Sequence, residues 1–97
     1  MPKPRKSPFD DGYIAIIERL VARRRELGMT QEQLASAYGE DQSFISRVER
    51  RQRRIDVWEF VLFCVALDVD PGALLKDTFA ERSFEDVLRG MASRAAT

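Results

Sequence analysis

The sequence predicts an all-α fold made of short helices. Helix-capping residues recur at short intervals, and the segments between them carry apolar residues at helical spacing. No segment shows the alternation of apolar and polar residues that a half-buried strand would show. With 97 residues, of which 44% are hydrophobic and 33% charged, the chain is expected to form one globular domain with a small core.

Side chains that are common in catalysis are scarce. The chain has no histidine and one cysteine, Cys64, which lies in an apolar run and is expected in the core. Without histidine, the commonest general base, we expect no enzyme, no metal site and no cofactor. No apolar run reaches the roughly 18 residues of a membrane span, and no signal peptide is recognisable. We therefore expect a cytoplasmic protein without a membrane partner or a small-molecule ligand.

The formal charge is zero in sum but uneven along the chain. Residues 1–54 hold 12 Lys and Arg against 8 Asp and Glu, whereas residues 55–97 hold 4 against 8. This asymmetry favours a polyanionic partner for the first half, although a charged run is more often a solvated surface. Residues 1–9, with three prolines and three cations, predict a flexible basic arm.

Capping residues predict where the first two helices begin and end. Asp10 or Asp11 is expected to cap the first helix, and Gly28 follows its end, where the backbone adopts a positive φ angle. Thr30 and Gln33 have the spacing of a capping box, which predicts a second helix directly after Thr30. The apolar residues expected to face the core from these helices are Tyr13, Ile17, Leu20, Val21, Leu27, Leu34 and Ala35.

The fourth helix, expected over residues 57–67 with Asp56 as its cap, is apolar almost all round. The face expected to point into the core consists of Val57, Phe60, Phe63, Cys64 and Leu67. A second stripe consists of Trp58, Leu62 and Val65. Because a second apolar stripe needs a second partner, we expect either a C-terminal helix of the same chain or another chain to cover it.

Two further helices complete the prediction. Asp70 and Pro71 mark the start of a fifth helix that ends near Lys76. Ser83 is expected to cap a last helix, whose apolar face consists of Phe84, Val87, Leu88 and Met91. The chain is accordingly divided into a basic arm (residues 1–9), a main domain (10–78) and a C-terminal helix that is a candidate dimerisation element (79–97).

Residues 31–50 meet the requirements of two helices that cross over a tight turn. Ala35 gives the small side chain that a close crossing needs, and Gly39 tolerates a positive φ angle in the turn. Asp41 is expected to cap the next helix, whose apolar inner edge is Ile45 and Val48. These are the features of a helix-turn-helix unit, the second helix of which lies in the major groove of DNA.

Several segments between residues 13 and 75 carry a resemblance to a known family: Arg24, GMTQEQLA (28–35), Gly39, FISRVER (44–50) and ALDVDPGALL (66–75). Together they make the chain resemble the Xre/Cro-type helix-turn-helix regulators, which include the lambdoid phage repressors. The resemblance implies a five-helix, lambda-repressor-like DNA-binding domain, here with an additional C-terminal helix. It also implies double-stranded DNA as the partner.

The resemblance assigns roles to single residues. Gln31 is similar to a residue that holds a DNA phosphate and braces the recognition helix. The positions that read base edges are matched by Gln42, Ser43 and Arg47. Phe44 lies beside them, where its ring is expected to meet a thymine methyl group or to pack on the backbone.

The resemblance also concerns charges around the third helix. Arg24 and Glu49 match a pair that ties the first helix to the third, against the alternative of two unrelated surface charges. The arginines that look like phosphate clamps, against the alternative of a solvated basic loop, are Arg50, Arg51, Arg53 and Arg54. Arg51 takes a place usually held by glycine, at a cost of roughly 1 kcal/mol if the left-handed conformation is kept.

The leading hypothesis is a sequence-specific DNA-binding transcriptional regulator, associated with the nucleoid when it is bound to DNA. Because operators of this family are usually palindromic, we expect a homodimer that reads two half-sites. The residues expected at its interface are Trp58, Leu62, Val65, Phe84, Leu88 and Met91. The alternative is a protein-interaction module of the same fold, an antitoxin or a scaffold, that does not read a DNA sequence.

Overall fold

The computed structural model describes residues 8–80 and residue 89, and within these residues the protein is all-helical. Its α-helices are Pro8–Glu26 (α1), Gln31–Tyr38 (α2), Gln42–Glu49 (α3), Val57–Ala66 (α4) and Pro71–Thr78 (α5). The predicted fold class, an all-α domain of five helices, is confirmed. None of the helices in the described part of the chain is long and apolar enough to cross a membrane.

The helix boundaries differ from the prediction at α1 and α5. Helix α1 begins at Pro8, so neither Asp10 nor Asp11 is its cap. A proline fits the first helical position because its fixed φ angle suits a helix and its missing N–H has no partner there. Helix α5 extends to Thr78, two residues beyond the expected end. The predicted face of the last helix, with Phe84, Leu88 and Met91, lies outside the described residues, as does the arm up to residue 7.

The core receives side chains from each of these helices. The buried apolar residues are Ile17 and Leu20 of α1, Leu34 and Ala35 of α2, Phe44, Ile45 and Val48 of α3, Phe63 and Cys64 of α4, Leu67 and, from α5, Leu74. Burial raises the pKa of the Cys64 thiol to about 11, so it stays protonated and packs as a small hydrophobic group. Two expected core residues are wrong: Val57 is 81% exposed in the first turn of α4, and Leu27 is 40% exposed after the end of α1.

Side-chain caps start the helices where the sequence predicts them. Thr30 and Gln33 form both hydrogen bonds of the capping box at α2. Asp41 accepts a hydrogen bond from the Phe44 amide at 2.9 Å and so begins α3. Asp56 begins α4 in a second capping box, in which the carboxylate of the third helical residue, Glu59, bonds back to the Asp56 amide. These local bonds satisfy amides that a helix leaves without partners.

Two arginines of α1 attach it to the ends of other helices. Arg23 donates to the carbonyl oxygens of Leu67 and Asp68 at 3.0 and 2.8 Å, directly after α4. Arg19 donates to the carbonyl oxygen of Asp77 near the end of α5 at 2.9 Å. Cations at these places complement the carbonyl groups and the negative end of each helix dipole.

In the turns after α3 and α4, a residue other than glycine adopts the left-handed backbone conformation. Arg51 has a φ angle of 61° and Asp68 one of 52°. In each turn the next amide bonds back across the helix end, from Gln52 to the Arg47 carbonyl and from Val69 to the Cys64 carbonyl. The left-handed conformation predicted for Arg51 is therefore confirmed, and its steric strain is part of the native structure.

Replacing Arg51 by glycine should stabilise the protein by about 1 kcal/mol, because glycine adopts a positive φ angle without steric strain. Asp68→Gly is the matched control in an equivalent turn, and its gain should be smaller because aspartate tolerates this conformation better. Urea unfolding of the two variants and the wild type measures both effects. A loss of stability in Arg51→Gly would contradict this explanation of the turn.

Candidate nucleic-acid interface

A charged pair joins α1 to the end of α3. Arg24 Nε donates to Glu49 Oε2 at 2.6 Å and Arg24 Nη2 donates to Glu49 Oε1 at 3.0 Å. The third nitrogen, Nη1, donates to the carbonyl oxygen of Met29 in the turn before α2 at 2.7 Å. Both side chains are 11% exposed. The expected pairing of Arg24 with Glu49 is thus present, and it is bidentate and nearly buried.

Two glutamines extend this pair to the surface of α3. Gln31 Nε2 donates to Glu49 Oε1 at 2.9 Å, and Gln31 Oε1 accepts from Gln42 Nε2 at 2.6 Å. Arg24, Glu49, Gln31 and Gln42 therefore form one continuous set of hydrogen bonds, called the polar network below. It runs from a nearly buried ion pair to an exposed side chain at the first position of α3.

Helix α3 has one buried edge and one exposed polar face. Ile45 and Val48 are 0% and 1% exposed and fix the inner edge. Gln42, Ser43 and Arg47 are exposed. The Ser43 hydroxyl donates to Asp41 Oδ1 at 2.9 Å, and Arg47 Nε donates to the Ser43 carbonyl at 3.3 Å. The three side chains expected to read bases thus lie on the part of α3 that the core leaves open.

Phe44 does not belong to that face, which corrects the expectation that it lies beside the base-reading residues. It is 6% exposed. Its ring centroid is 5.4 Å from that of Tyr38 and 6.2 Å from that of Phe63. Phe44 therefore packs α3 against α2 and α4 and has almost no surface left for a thymine methyl group.

The arginines after α3 divide into two groups. Arg53 is half-buried: Nη1 donates to Glu59 Oε1 at 2.7 Å, and its guanidinium lies 5.0 Å from the Phe44 ring centroid. Arg53 is therefore paired with a carboxylate and an aromatic ring, and a phosphate contact from it would compete with both. Arg50, Arg51 and Arg54 remain exposed.

Tyr13 contacts the end of the turn that carries these arginines, a role that the sequence did not predict. Its hydroxyl accepts a hydrogen bond from the Ile55 amide at 3.2 Å, and its ring lies 4.6 Å from the Arg54 guanidinium. The apolar spacing predicts Tyr13 only as part of the apolar face of α1. No local pattern links residues 13 and 55, because the chain separates them by two complete helices.

Two carboxylates of the site are held in their charged forms. The hydrogen bond from the Phe44 amide, reinforced by the Ser43 hydroxyl, lowers the pKa of Asp41 below its ordinary value. The hydrogen bond from Arg53, reinforced by the Asp56 amide, lowers the pKa of Glu59. The charge of Asp41 thus serves a helix cap, and that of Glu59 serves a cap and an ion pair. Among the described residues, no group of three or more His, Cys, Asp and Glu side chains could hold a metal ion.

Comparison with known proteins agrees with this arrangement. A helix-turn-helix family model matches residues 20–74, which is more than half of the chain. The chain belongs to the Xre-type helix-turn-helix family. An XRE-family like protein from Pseudomonas syringae pv. tomato str. DC3000 has a similar structure, with a TM-score of 0.74 and 39% sequence identity. The similarity covers 77% of this chain and 92% of that chain. No curated protein matches the chain.

Membership in the Xre-type family makes the chain a DNA-binding transcription regulator. The matched residues 20–74 include the polar network and the whole of α3. The expected family is therefore confirmed, and α3 takes the place of the second helix of the unit. The face of α3 that carries Gln42, Ser43 and Arg47 is the candidate interface.

The low pKa of Asp41 makes the start of α3 sensitive to acid. Because this pKa is lower in the folded protein than in the unfolded chain, its stabilising effect is present at neutral pH and is lost as the pH falls. Asn caps a helix equally well but does not titrate. Asp41→Asn should therefore lose less stability than the wild type between about pH 5 and pH 2 in urea unfolding experiments. Equal losses in the two proteins would contradict a charged cap.

Proposed function

We propose that the protein is a sequence-specific regulator that places α3 in the major groove of its operator. The observation that carries this proposal is the exposed face of α3, where the donors and acceptors of Gln42, Ser43 and Arg47 lie opposite a fully buried edge. Glutamine can bond both N6 and N7 of adenine, and arginine both O6 and N7 of guanine. An apolar or acidic face would have favoured a protein partner instead.

The phosphate contacts of the proposed complex come from the ends of the helix-turn-helix unit. Arg50, Arg51 and Arg54 are exposed in the turn after α3. Gln31, at the first position of α2, is proposed to reach a phosphate on the other side. Such contacts raise affinity for DNA of every sequence and make it depend on salt, because each phosphate that is neutralised releases counterions.

The proposed regulator is a homodimer that binds a palindromic operator. Support comes from α4, where Trp58 is 66% exposed and Val65 is 70% exposed, with half-buried Leu62 between them. Leaving such a stripe in water is unfavourable, and an exposed apolar stripe is typical of a protein interface. Two copies related by a twofold axis would present two α3 helices to successive major grooves.

Replacing Arg47 by alanine should remove discrimination at one base pair of each half-site by about 5- to 150-fold, because a bidentate arginine contact supplies roughly 1–3 kcal/mol. Arg50→Ala is the matched control: it should weaken binding to all sequences and lower the slope of log affinity against log salt by about 1. Binding to a duplex library selected by the wild type, at two salt concentrations, measures both effects. No preference of the wild type over random duplex at either concentration would refute the proposed reading.

Replacing Trp58 by glutamate should give a monomer at concentrations where the wild type is a dimer, because a charge would be buried in the apolar interface. Val57→Glu is the matched control, since Val57 is 81% exposed and lies outside the stripe on the same helix. Analytical ultracentrifugation distinguishes the two states. A Trp58→Glu protein that remains dimeric would place the interface elsewhere, and a monomeric wild type would contradict the dimer.

A further inference from the structure

A carboxylate lies at the start of the exposed face of α3. Asp41 is exposed, directly precedes Gln42, and is hydrogen-bonded to Ser43. The N-terminal residues of a recognition helix are those that contact base edges in the major groove. Asp41 caps α3, but Ser, Thr or Asn would also cap it and would bring no negative charge to this position. The cap alone therefore does not account for the charge.

The two carboxylate oxygens of Asp41 are used differently. Oδ1 accepts hydrogen bonds from the Phe44 amide and from the Ser43 hydroxyl, each at 2.9 Å. Oδ2 accepts none from the described part of the chain, so it is available to a partner outside the protein. Because a charged carboxylate only accepts, Oδ2 offers that partner an acceptor and no donor.

Asp41 also fixes the direction of the Ser43 hydroxyl. A serine can donate to a base or accept from it. Here the one O–H proton of Ser43 is donated to Asp41 Oδ1, so only the lone pairs of its oxygen remain for a base. Asp41 and Ser43 therefore present acceptors side by side. The charge of Arg47 on the same face helps to lower the pKa of Asp41, and it offsets part of the repulsion between this carboxylate and DNA phosphates.

We infer that Asp41 is a specificity-determining residue, whose Oδ2 selects a cytosine in the operator by accepting a hydrogen bond from the N4 amino group of that base. The inference rests on the proposed function, because it requires α3 in the major groove. In that groove cytosine presents a donor without an acceptor, adenine presents its N6 donor beside the N7 acceptor, and guanine and thymine present acceptors. A carboxylate therefore favours cytosine most, then adenine, and is repelled by guanine and thymine.

The outward oxygen of Asp41 can be exchanged or removed without loss of the cap. In Asp41→Asn the Phe44 amide still needs an acceptor, so the amide oxygen should stay at the Oδ1 position and the amino group should replace Oδ2. Asp41→Ser keeps a cap and removes the outward oxygen altogether. Asp70→Asn is the matched control, because Asp70 caps α5 through its own Oδ1 and lies outside α3.

The test selects an operator from a random duplex library with the wild type and then measures affinities for duplexes that carry each of the four base pairs at each position. The wild type should prefer cytosine at a position where Asp41→Ser lowers the preference by about 10-fold, the value of one hydrogen bond to a charged group. Asp41→Asn should reverse the preference there, towards guanine or thymine, because its amino group donates. Asp70→Asn should keep the wild-type preference at every position.

Three results would overturn the inference while the proposed function stands. One is an Asp41→Asn protein that keeps the wild-type base preference at every position. Another is an Asp41→Asn protein that binds all duplexes more tightly by the same factor, as the loss of a general repulsion from phosphates would do. The third is a wild type that prefers a base other than cytosine at the position that depends on Asp41. A wild type that prefers no duplex sequence would overturn the proposed function itself, and with it the role of Asp41.

Discussion

The ion pair between Arg24 and Glu49 determines where α3 lies in the domain. Removing two charges from water costs several kcal/mol per ion, and only full hydrogen bonding offsets that cost. Here the carboxylate accepts from Arg24 and from Gln31, and the remaining guanidinium nitrogen donates to Met29. Within the described part of the chain, no buried side-chain nitrogen or oxygen lacks a partner. Because the pair has these partners only when α1, α2 and α3 are packed as observed, it fixes the orientation of the exposed face of α3.

Apolar packing and the contacts of the following turn also hold α3 beside the ion pair. Ile45 and Val48 hold the inner edge of α3 in the core, and Phe44 joins it to Tyr38 and Phe63. After α3, the chain leaves through a strained left-handed Arg51 and is held again where Ile55 bonds to Tyr13. The basic turn between these two points is consequently short and supported at both ends. An interface for a polyanion benefits from such support, since side chains that are already placed lose less entropy on binding.

The parts of this structure that the sequence predicted are those decided by neighbouring residues. The Thr30 capping box, the Asp41 cap and the Gly39 turn each depend on groups within four positions, so a local pattern identifies them. The structure differs from the prediction where segments that are distant in the sequence meet. Phe44 is buried because Tyr38 and Phe63 come together around it, and Arg53 is occupied because the loop returns it to Glu59. The pairing of Arg24 with Glu49 is also distant, and it was anticipated only through the family resemblance.

A double-mutant cycle on Arg24 and Glu49 measures how strongly the two charges depend on each other. The free energies of unfolding of the wild type, Arg24→Met, Glu49→Gln and the double variant are measured under one set of conditions. If the pair organises α3, each single variant strands the other charge, and the coupling energy should reach about 2 kcal/mol or more. A coupling energy below about 0.5 kcal/mol, as found for an exposed pair, would contradict the account.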